Sequence, residues 1–144
     1  MTVNKGKIMQ FISSRLIVSD IKQMTAFYEY VTAIKAKWLA PVYAEIQTPT
    51  GNLALGDVST VVLFSNGCAI PKSNRSTIFE FMVKDIDSEF ERLKHYVDIV
   101  HEVKDMPWGN RTFGFRDPEG NLVSFFTPAT LQAKQRFSGE VYLR

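Results

Sequence analysis

Hydrophobic and polar positions along this chain follow two kinds of period, and the same order of periods occurs twice. Residues 11–18 are rich in branched apolar side chains, which predicts a β-strand, and Asp20 then precedes apolar positions spaced three and four apart, which predicts a capped helix. Strand-like runs follow at residues 36–40, 43–48 and 52–56, the last two joined by a Pro-Thr-Gly turn. The first half of the chain is therefore predicted to form a βαβββ unit. The helical stripe in this unit consists of Ile21, Met24, Phe27 and Val31.

The second half of the chain repeats this arrangement. Residues 78–83 predict a strand, Asp85 or Asp87 a helix cap, and residues 99–104, 112–116 and 122–127 three further strands. Val-x-Asp-Ile ends the first strand of both halves, and Gly-Asn-Leu precedes the last strand of both. Because the two matches occur in the same order, we predict a duplicated α+β fold. The second helical stripe consists of Ile86, Phe90, Leu93 and Val97.

One domain is predicted to span residues 1–144, since 45% hydrophobic and 22% charged residues are typical of a globular chain of this length. Its parts are expected to be unit one at about 10–58, a linker at about 59–75, unit two at about 76–128 and a tail at 129–144. Val61–Phe64 in the linker predicts an extra strand or a continuation of the fourth strand. The tail predicts a short helix over 129–137 and an extended end over 138–144.

Composition argues against several classes of function. No run approaches the roughly 18 apolar residues of a membrane span, and the first 15 residues lack the apolar centre of a signal peptide. The net charge of +2 comes from scattered lysines and arginines, which argues against nucleic acid and favours a neutral or anionic ligand. Cys68 is the single cysteine and cannot form an internal disulfide, so we expect a cytoplasmic protein.

The paired units, the cap before a helix carrying Ala26–Tyr28, and the segments Pro107–Gly109 and Asp117–Asn121 together resemble the vicinal oxygen chelate superfamily. This superfamily includes glyoxalases, bleomycin-resistance proteins and extradiol dioxygenases, and the resemblance covers about residues 11–128. It implies that the two units curl mixed β-sheets into an open cup with helices packed outside and a ligand within. It also implies a homodimer. Phe27 and Tyr28 are similar to the family's residues but are interpreted as helix-packing residues.

Metal-using members of the superfamily hold a divalent ion with residues of the first and fourth strands of each unit. By this resemblance the first-strand positions, seven residues before each cap, are Ser13 and Ile78. The fourth-strand position, four residues after the turn glycine, is Ser124 and, through the internal repeat, Leu55. Divalent metals need His, carboxylate or thiolate donors, so we predict neither a metal site nor another cofactor. The two histidines, His95 and His101, lie off these positions and are expected to be structural or surface residues.

Strand parity extends the prediction to the neighbouring residues, because side chains two apart share a face. If Ser13 and Ile78 point into the cup, so do Arg15 and Glu80, and we predict that these two form an ion pair or share a ligand. The pair is either structural or functional, with Arg15 offering a forked donor to the ligand. Glu80 as a general base is a weaker candidate, because the adjacent cation would oppose a raised pKa. The residues assigned to the helix side are Leu16, Val18, Phe79, Phe81 and Val83.

Four further residues are candidates for the cup. Trp108 is predicted to cover a flat or apolar ligand or to contact a dimer partner, and Arg111 to bind an anion or to be solvated. Tyr43 shares a face with Glu45 and Gln47 and is a possible wall residue, and Phe126 lies two positions beyond Ser124. The full ligand-binding set is Arg15, Glu80, Trp108, Arg111, Tyr43, Phe126, Ser13 and Ser124.

Three functions are compatible with this pattern. The first is metal-independent binding of a small organic molecule, for sequestration or resistance. The alternative is a lyase, isomerase or dioxygenase of the same superfamily, whose reactions would use the Lewis acid that the predicted positions cannot hold. A regulatory or interaction module is the third.

Overall fold

The computed structural model describes residues 8–139 and Tyr142, and these residues form two four-stranded sheets with three α-helices. The predicted fold class, α+β with two βαβββ units, is confirmed. Unit one consists of β1 (Ser13–Val18), α1 (Ile21–Thr32), β2 (Lys37–Ala40), β3 (Tyr43–Thr48) and β4 (Gly51–Asp57). Unit two consists of β5 (Ile78–Met82), α2 (Ile86–Leu93), β6 (Asp98–Asp105), β7 (Asn110–Arg116) and β8 (Leu122–Pro128), and α3 (Leu131–Arg136) follows it.

Both sheets are mixed and have the same topology. The strand orders are β1-β4-β3-β2 and β5-β8-β7-β6, with β1 parallel to β4, β5 parallel to β8, and the other pairs antiparallel. The helix in each unit connects the first strand to the far side of the sheet. As a result β1 and β5 are edge strands, each paired on one side only.

Both long helices begin at the predicted aspartates. The Asp20 carboxylate accepts a hydrogen bond from Gln23 N at 3.0 Å, and Asp85, rather than Asp87, accepts one from Ser88 N at 3.3 Å. Tyr28 is fully buried on α1, whereas the predicted stripe residue Phe27 is half-buried. Both residues pack in the core as expected, but Tyr28 is enclosed more completely than Phe27.

The linker departs from the prediction of a strand at Val61–Phe64. Residues Val58–Leu63 form a 3-10 helix instead, with Asp57 as its cap. The Asp57 carboxylate accepts from Ser59 N at 2.9 Å, and Thr60 Oγ1 donates to the Asp57 carbonyl at 2.7 Å. These local side-chain hydrogen bonds close a turn and override the strand preference of branched residues. The predicted extended end at 138–144 falls mostly outside the described residues, while α3 lies within the predicted tail helix.

Each sheet has one face that packs against helices, the inner face, and an opposite outer face. Helix α1 contacts β3 and β4 of its own unit, and its Phe27 ring lies 6.1 Å from the Phe115 ring on β7 of unit two. Helix α2 packs on the sheet of unit two, where the centre of the Phe90 ring lies 5.2 Å from that of Phe113 on β7. One core therefore joins both units, and the outer faces point away from it. Its inner-face residues are Leu16, Val18, Ala44, Ile46, Leu53, Leu55, Phe79, Phe81, Phe113, Phe115, Val123 and Phe125.

The turn between β7 and β8 fastens unit two to the start of α1. The Tyr28 hydroxyl donates to Asp117 Oδ2 at 2.6 Å, and the Glu119 carboxylate accepts from the backbone N–H groups of Ser19 at 2.9 Å and Asp20 at 3.0 Å. Asp117 Oδ1 also accepts from Asn121 N at 3.0 Å. Hydrogen bonds to charged groups contribute about 1.5–3 kcal/mol each. The most specific motif of the family resemblance is therefore a joint between the units.

Tyr28 is expected to make the stability of the fold sensitive to alkaline pH. Burial, reinforced by the Asp117 carboxylate, raises the pKa of the Tyr28 hydroxyl well above its ordinary value. In the unfolded chain Tyr28 ionises near pH 10, so its stabilising contribution is complete below about pH 10 and is lost as pH rises towards the native pKa. We expect Tyr28→Phe to lower the free energy of unfolding by about 1–2 kcal/mol at neutral pH but to lose less than the wild type above about pH 10.

Urea unfolding followed by circular dichroism at neutral and alkaline pH measures this difference. Tyr30→Phe is the matched control, because Tyr30 is exposed on the same helix. Parallel pH profiles for the wild type and Tyr28→Phe would contradict the prediction.

Candidate functional site

The outer face of unit two brings together four of the predicted site residues. Glu80, Trp108, Ser124 and Phe126 line a pocket of about 180 Å³, which we call the unit-two pocket. The rest of its lining consists of Ile78, His101, Met106, Asn110, Thr112, Gly114 and Leu122.

Arg15, Tyr43 and Ser13 lie in unit one instead. Arg15 is exposed, its guanidinium carbon lies 4.8 Å from the centre of the Tyr43 ring and 5.3 Å from that of Phe64, and its Nη2 donates to the Tyr43 hydroxyl at 3.5 Å. Tyr43 in turn donates to the Glu45 carboxylate at 3.2 Å. Ser13 is half-buried at the start of β1. The Arg15 side chain thus contacts residues of unit one and of the linker that follows it.

The predicted ion pair between Arg15 and Glu80 is wrong within a single chain. The salt bridges of the described residues do not include it, and Arg15 contacts Tyr43 and Phe64 instead. Strand parity does place both residues on outer faces. However, the two outer faces point away from one shared core, so the two side chains lie on separate surfaces.

Arg111 lies outside the unit-two pocket. Its Nη2 donates to Asp87 on α2 at 3.1 Å and its Nη1 donates to Asp105 on β6 at 3.3 Å. These hydrogen bonds raise the pKa of the Arg111 guanidinium. Arg111 is therefore paired with the carboxylates of Asp87 and Asp105. An anionic ligand would have to displace both carboxylates to bind the Arg111 guanidinium.

The strand registers correct one of the four inferred metal positions. Ser124 pairs with Glu80, and Ala54 pairs with Arg15, so Ala54 rather than Leu55 is equivalent to Ser124. Unit two has one more residue between the turn glycine and the first paired residue than unit one. A shift of one residue moves a side chain to the other face, and Leu55 accordingly lies in the core.

The corrected set of Ser13, Ala54, Ile78 and Ser124 does not fit a divalent metal. It offers two hydroxyl groups and two aliphatic side chains, whereas metal sites use imidazole, carboxylate or thiolate donors. Within residues 8–139, no three His, Cys, Asp or Glu side chains come together as a possible metal site.

His101, assigned from sequence to a structural or surface role, lines the unit-two pocket. Its Nδ1 lies 2.8 Å from the Glu102 carbonyl oxygen, which can only accept, so Nδ1 carries the proton of the neutral ring and Nε2 keeps a lone pair. A Cβ at Gly114 would lie 3.0 Å from His101 Nε2. The glycine thus leaves room for the ring to lie across β7. The register of β6 shifts on both sides of His101. Strand parity therefore could not predict which face of the sheet this side chain lies on.

The polar floor of the pocket consists of Asn110, Thr112 and Ser124. Thr112 Oγ1 donates its only proton to the Phe125 carbonyl at 2.7 Å, so in its 2.8 Å contact with Ser124 the Ser124 hydroxyl is the donor. Asn110 is 8% exposed, and its Oδ1 is enclosed without a hydrogen-bond partner in the described part of the chain. A buried unpaired polar group costs about 1–3 kcal/mol, so the enclosed Oδ1 of Asn110 lowers the stability of the fold.

Trp108 stands at the rim of the pocket on a fastened turn. Gly109 N donates to the Met106 carbonyl at 2.9 Å, and the Gly109 carbonyl accepts from Ala129 N at 2.9 Å. Gly109 has a φ of +100°, and a Cβ there would overlap Thr130 Oγ1, so this position requires glycine. The indole itself is 65% exposed. It presents a large apolar surface on a rigid support.

A larger cleft of about 670 Å³ runs along β5 between the units. It shares Ile78, Glu80 and Phe126 with the unit-two pocket, but part of its wall is the apolar inner face. Two arginines line it: Arg92 donates to the Val31 carbonyl at 2.7 Å and pairs with Glu89, and the Arg136 guanidinium carbon lies 4.9 Å from the centre of the Phe137 ring. The enclosed, unpaired Oδ1 of Asn110 belongs to the unit-two pocket and not to this cleft.

Comparison with known proteins agrees with the fold. The model of the glyoxalase-like domain family matches residues 11–128. No curated protein matches the sequence. No helix of the described residues is long and apolar enough to cross a membrane.

Solved structures share the architecture at low sequence identity. A glyoxalase/bleomycin resistance protein/dioxygenase from Nocardioides is 21% identical, with a TM-score of 0.71 over 90% of this chain and 88% of that one. A glyoxalase-related enzyme from Fulvimarina pelagi is 18% identical, with a TM-score of 0.70 over 83% and 88%. TioX from Micromonospora is 22% identical, with a TM-score of 0.67 over 83% and 99%. At these identities the likeness shows the fold alone.

Asn110 is expected to be dispensable for stability. Because Asn110→Val replaces an enclosed, unpaired amide with an apolar side chain suited to a strand, we expect the free energy of unfolding to stay the same or to rise by up to about 1 kcal/mol. Urea unfolding measures the change. Asn121→Val is the contrasting variant, since the buried Asn121 Nδ2 donates to both carboxylate oxygens of Asp117 and the loss of these hydrogen bonds should destabilise the fold. Equal destabilisation by both substitutions would show that Asn110 has a structural partner.

Proposed function

Because this chain belongs to the glyoxalase-like domain family, we propose that it is a metal-independent protein that binds a small organic molecule, in a sequestration or resistance role. The observation that carries the proposal is the enclosed, unpaired Asn110 in a pocket rimmed by Trp108. An apolar pocket with a few convergent polar groups is the usual form of a small-molecule site. The four positions that would hold a metal in this family carry no competent donor set, so the binding relies on side chains alone.

We propose further that a second copy of the chain completes the cup, with unit one of one copy covering the unit-two pocket of the other. Each chain presents two outer faces that point away from its core, and a pocket of about 180 Å³ holds only a small ligand or part of one. Large apolar side chains are exposed on both faces, among them Phe64, Ile78 and Trp108. Arg15 and Glu80 stand at equivalent positions of the two units, so this arrangement would bring the cation of one copy to the carboxylate of the other.

Net charge and the single cysteine bear on the ligand and on the compartment. The net charge of +2 favours a neutral or anionic ligand over a cation at long range. Cys68 is free and exposed, which suits a reducing compartment such as the cytoplasm.

Binding can be tested with N-phenyl-1-naphthylamine, a flat neutral fluorophore. We expect saturable binding that Trp108→Ala weakens by roughly tenfold, because the indole contributes a large apolar contact. Dialysis against EDTA should leave the affinity unchanged. Fluorescence titration measures both effects.

Trp38→Ala is the matched control, because Trp38 lies on β2 of unit one, outside the lining of the unit-two pocket. Equal losses in the two tryptophan variants would contradict the assignment of the pocket. Loss of binding on chelation would contradict its independence of metal.

The dimer can be tested by charge reversal. We expect the chain to sediment at twice its 16.4 kDa. Glu80→Arg should weaken association by roughly tenfold through repulsion of two cations, and the double variant Arg15→Glu, Glu80→Arg should restore it. Sedimentation velocity over a dilution series measures the change.

Glu91→Arg is the control, since Glu91 is an exposed residue of α2. A monomer at every concentration would overturn the proposal. A double variant as weak as Glu80→Arg would overturn the arrangement of the two copies.

A further inference from the structure

The polar side chains of the unit-two pocket are divided between two ends of its floor. At one end, the strand registers place four residues in one row across the sheet, namely His101, Gly114, Ser124 and Glu80. At the other end is Asn110, four positions before Gly114 on β7 and on the same face, because the pairing of β7 with β8 is regular. At about 3.3 Å per residue the two ends lie about 13 Å apart. We call them the imidazole end and the amide end.

The imidazole end can accept hydrogen bonds. The proton on His101 Nδ1 is engaged by the Glu102 carbonyl at 2.8 Å, so the neutral ring offers the lone pair of Nε2. The Ser124 hydroxyl gives its proton to Thr112 at 2.8 Å, because the Thr112 proton goes to the Phe125 carbonyl, and Ser124 Oγ keeps lone pairs. A ligand group that donates a hydrogen bond therefore suits this end.

The amide end can donate hydrogen bonds. Asn110 Oδ1 is enclosed, but Asn110 Nδ2 is not enclosed and meets no acceptor in the described part of the chain. The indole N–H of Trp108, at the rim, likewise has no acceptor among the residues described. Both groups are donors only. A ligand acceptor such as a carbonyl oxygen therefore suits this end.

Apolar surface accompanies the two ends. Met106 and Phe126 line the pocket, and the exposed indole of Trp108 can stack on a flat ring. Thr112, midway between the ends on β7, is 4% exposed and uses its hydroxyl within the sheet. A hydrogen bond of about 2.9 Å at each end leaves about 7 Å for the ligand itself, which is about the separation of opposite substituents on two fused aromatic rings.

We propose that the unit-two pocket selects a flat, neutral aromatic molecule of about two rings that carries a hydrogen-bond donor at one end and an acceptor, such as a ketone, at the other. The inference rests on the proposed binding function and deepens it. A ligand with the same group at both ends leaves one end of the pocket unpaired. In the proposed dimer, Arg15 of the second copy pairs with Glu80 at the edge of the row, so His101 and Ser124 remain for the ligand donor.

Three naphthalenes of similar shape test the proposal by fluorescence titration at pH 8, where imidazole groups are neutral. They are 2-acetyl-6-aminonaphthalene, which has one donor and one acceptor end, 2,6-diaminonaphthalene, which has two donor ends, and 2,6-diacetylnaphthalene, which has two acceptor ends. We expect the mixed compound to bind roughly tenfold more tightly than either symmetrical one, since only it pairs both ends of the pocket. Equal or weaker binding of the mixed compound overturns the proposal.

Two variants assign the ends, because each should change one ratio of affinities and not the other. Asn110→Val removes the amide donor, so we expect the preference for the mixed compound over the diamine to fall several-fold while its preference over the diacetyl compound is kept. His101→Phe keeps the ring and removes the acceptor, so we expect the opposite pattern. His95→Phe, at the exposed second histidine, should leave both ratios unchanged.

The outcomes separate this proposal from the binding function itself. Unchanged ratios in both Asn110→Val and His101→Phe, or the two patterns exchanged, overturn the assignment of the ends. Failure of all three naphthalenes to bind, with N-phenyl-1-naphthylamine still bound, overturns the proposed ligand class alone. Failure of all four compounds to bind overturns the proposed function.

Discussion

The joint between the 117–121 turn and the start of α1 is the interaction on which the rest of the structure depends. Buried carboxylates of Asp117 and Glu119 accept hydrogen bonds from Tyr28 and from the backbone of Ser19 and Asp20. Because α1 also packs on its own sheet, this joint holds the helix between the inner faces of both units. The direction of both outer faces, and hence the place where a ligand can bind, follows from that constraint.

Much of the fold could be predicted from the sequence because it depends on local patterns. The strand and helix periods, the Asp20 cap and the repeated order of elements all act over a few residues, and the structure has them. The 3-10 helix at Val58–Leu63 was missed because side-chain hydrogen bonds of Asp57 and Thr60 outweigh the branched residues that follow. Such competition between local hydrogen bonds and propensity is not visible in hydrophobic periodicity.

The candidate site was only partly predictable, because it depends on registers and on how the units face each other. Parity correctly placed Glu80 and Ser124 on one wall of one pocket. Parity failed for Leu55, because the turn before the last strand of unit one is one residue shorter and the side chain therefore lies on the other face. It also failed for His101, because the register of β6 is irregular there. The direct pairing of Arg15 with Glu80 failed for a different reason, since nothing in either strand records that the outer face of each sheet points away from the shared core.

The separation between the joint and the outer faces has a consequence for how such a chain can change over time. The groups that hold the units together lie in the interior, while the residues that would meet a ligand project from the opposite sides of the sheets. Substitutions on an outer face can therefore alter recognition with little penalty to folding, a freedom that cores lack. A lineage built on this scaffold could exchange ion-coordinating side chains for hydroxyls and aliphatics, as at Ser13, Ala54, Ile78 and Ser124, and still inherit an intact frame on which to evolve a different chemistry.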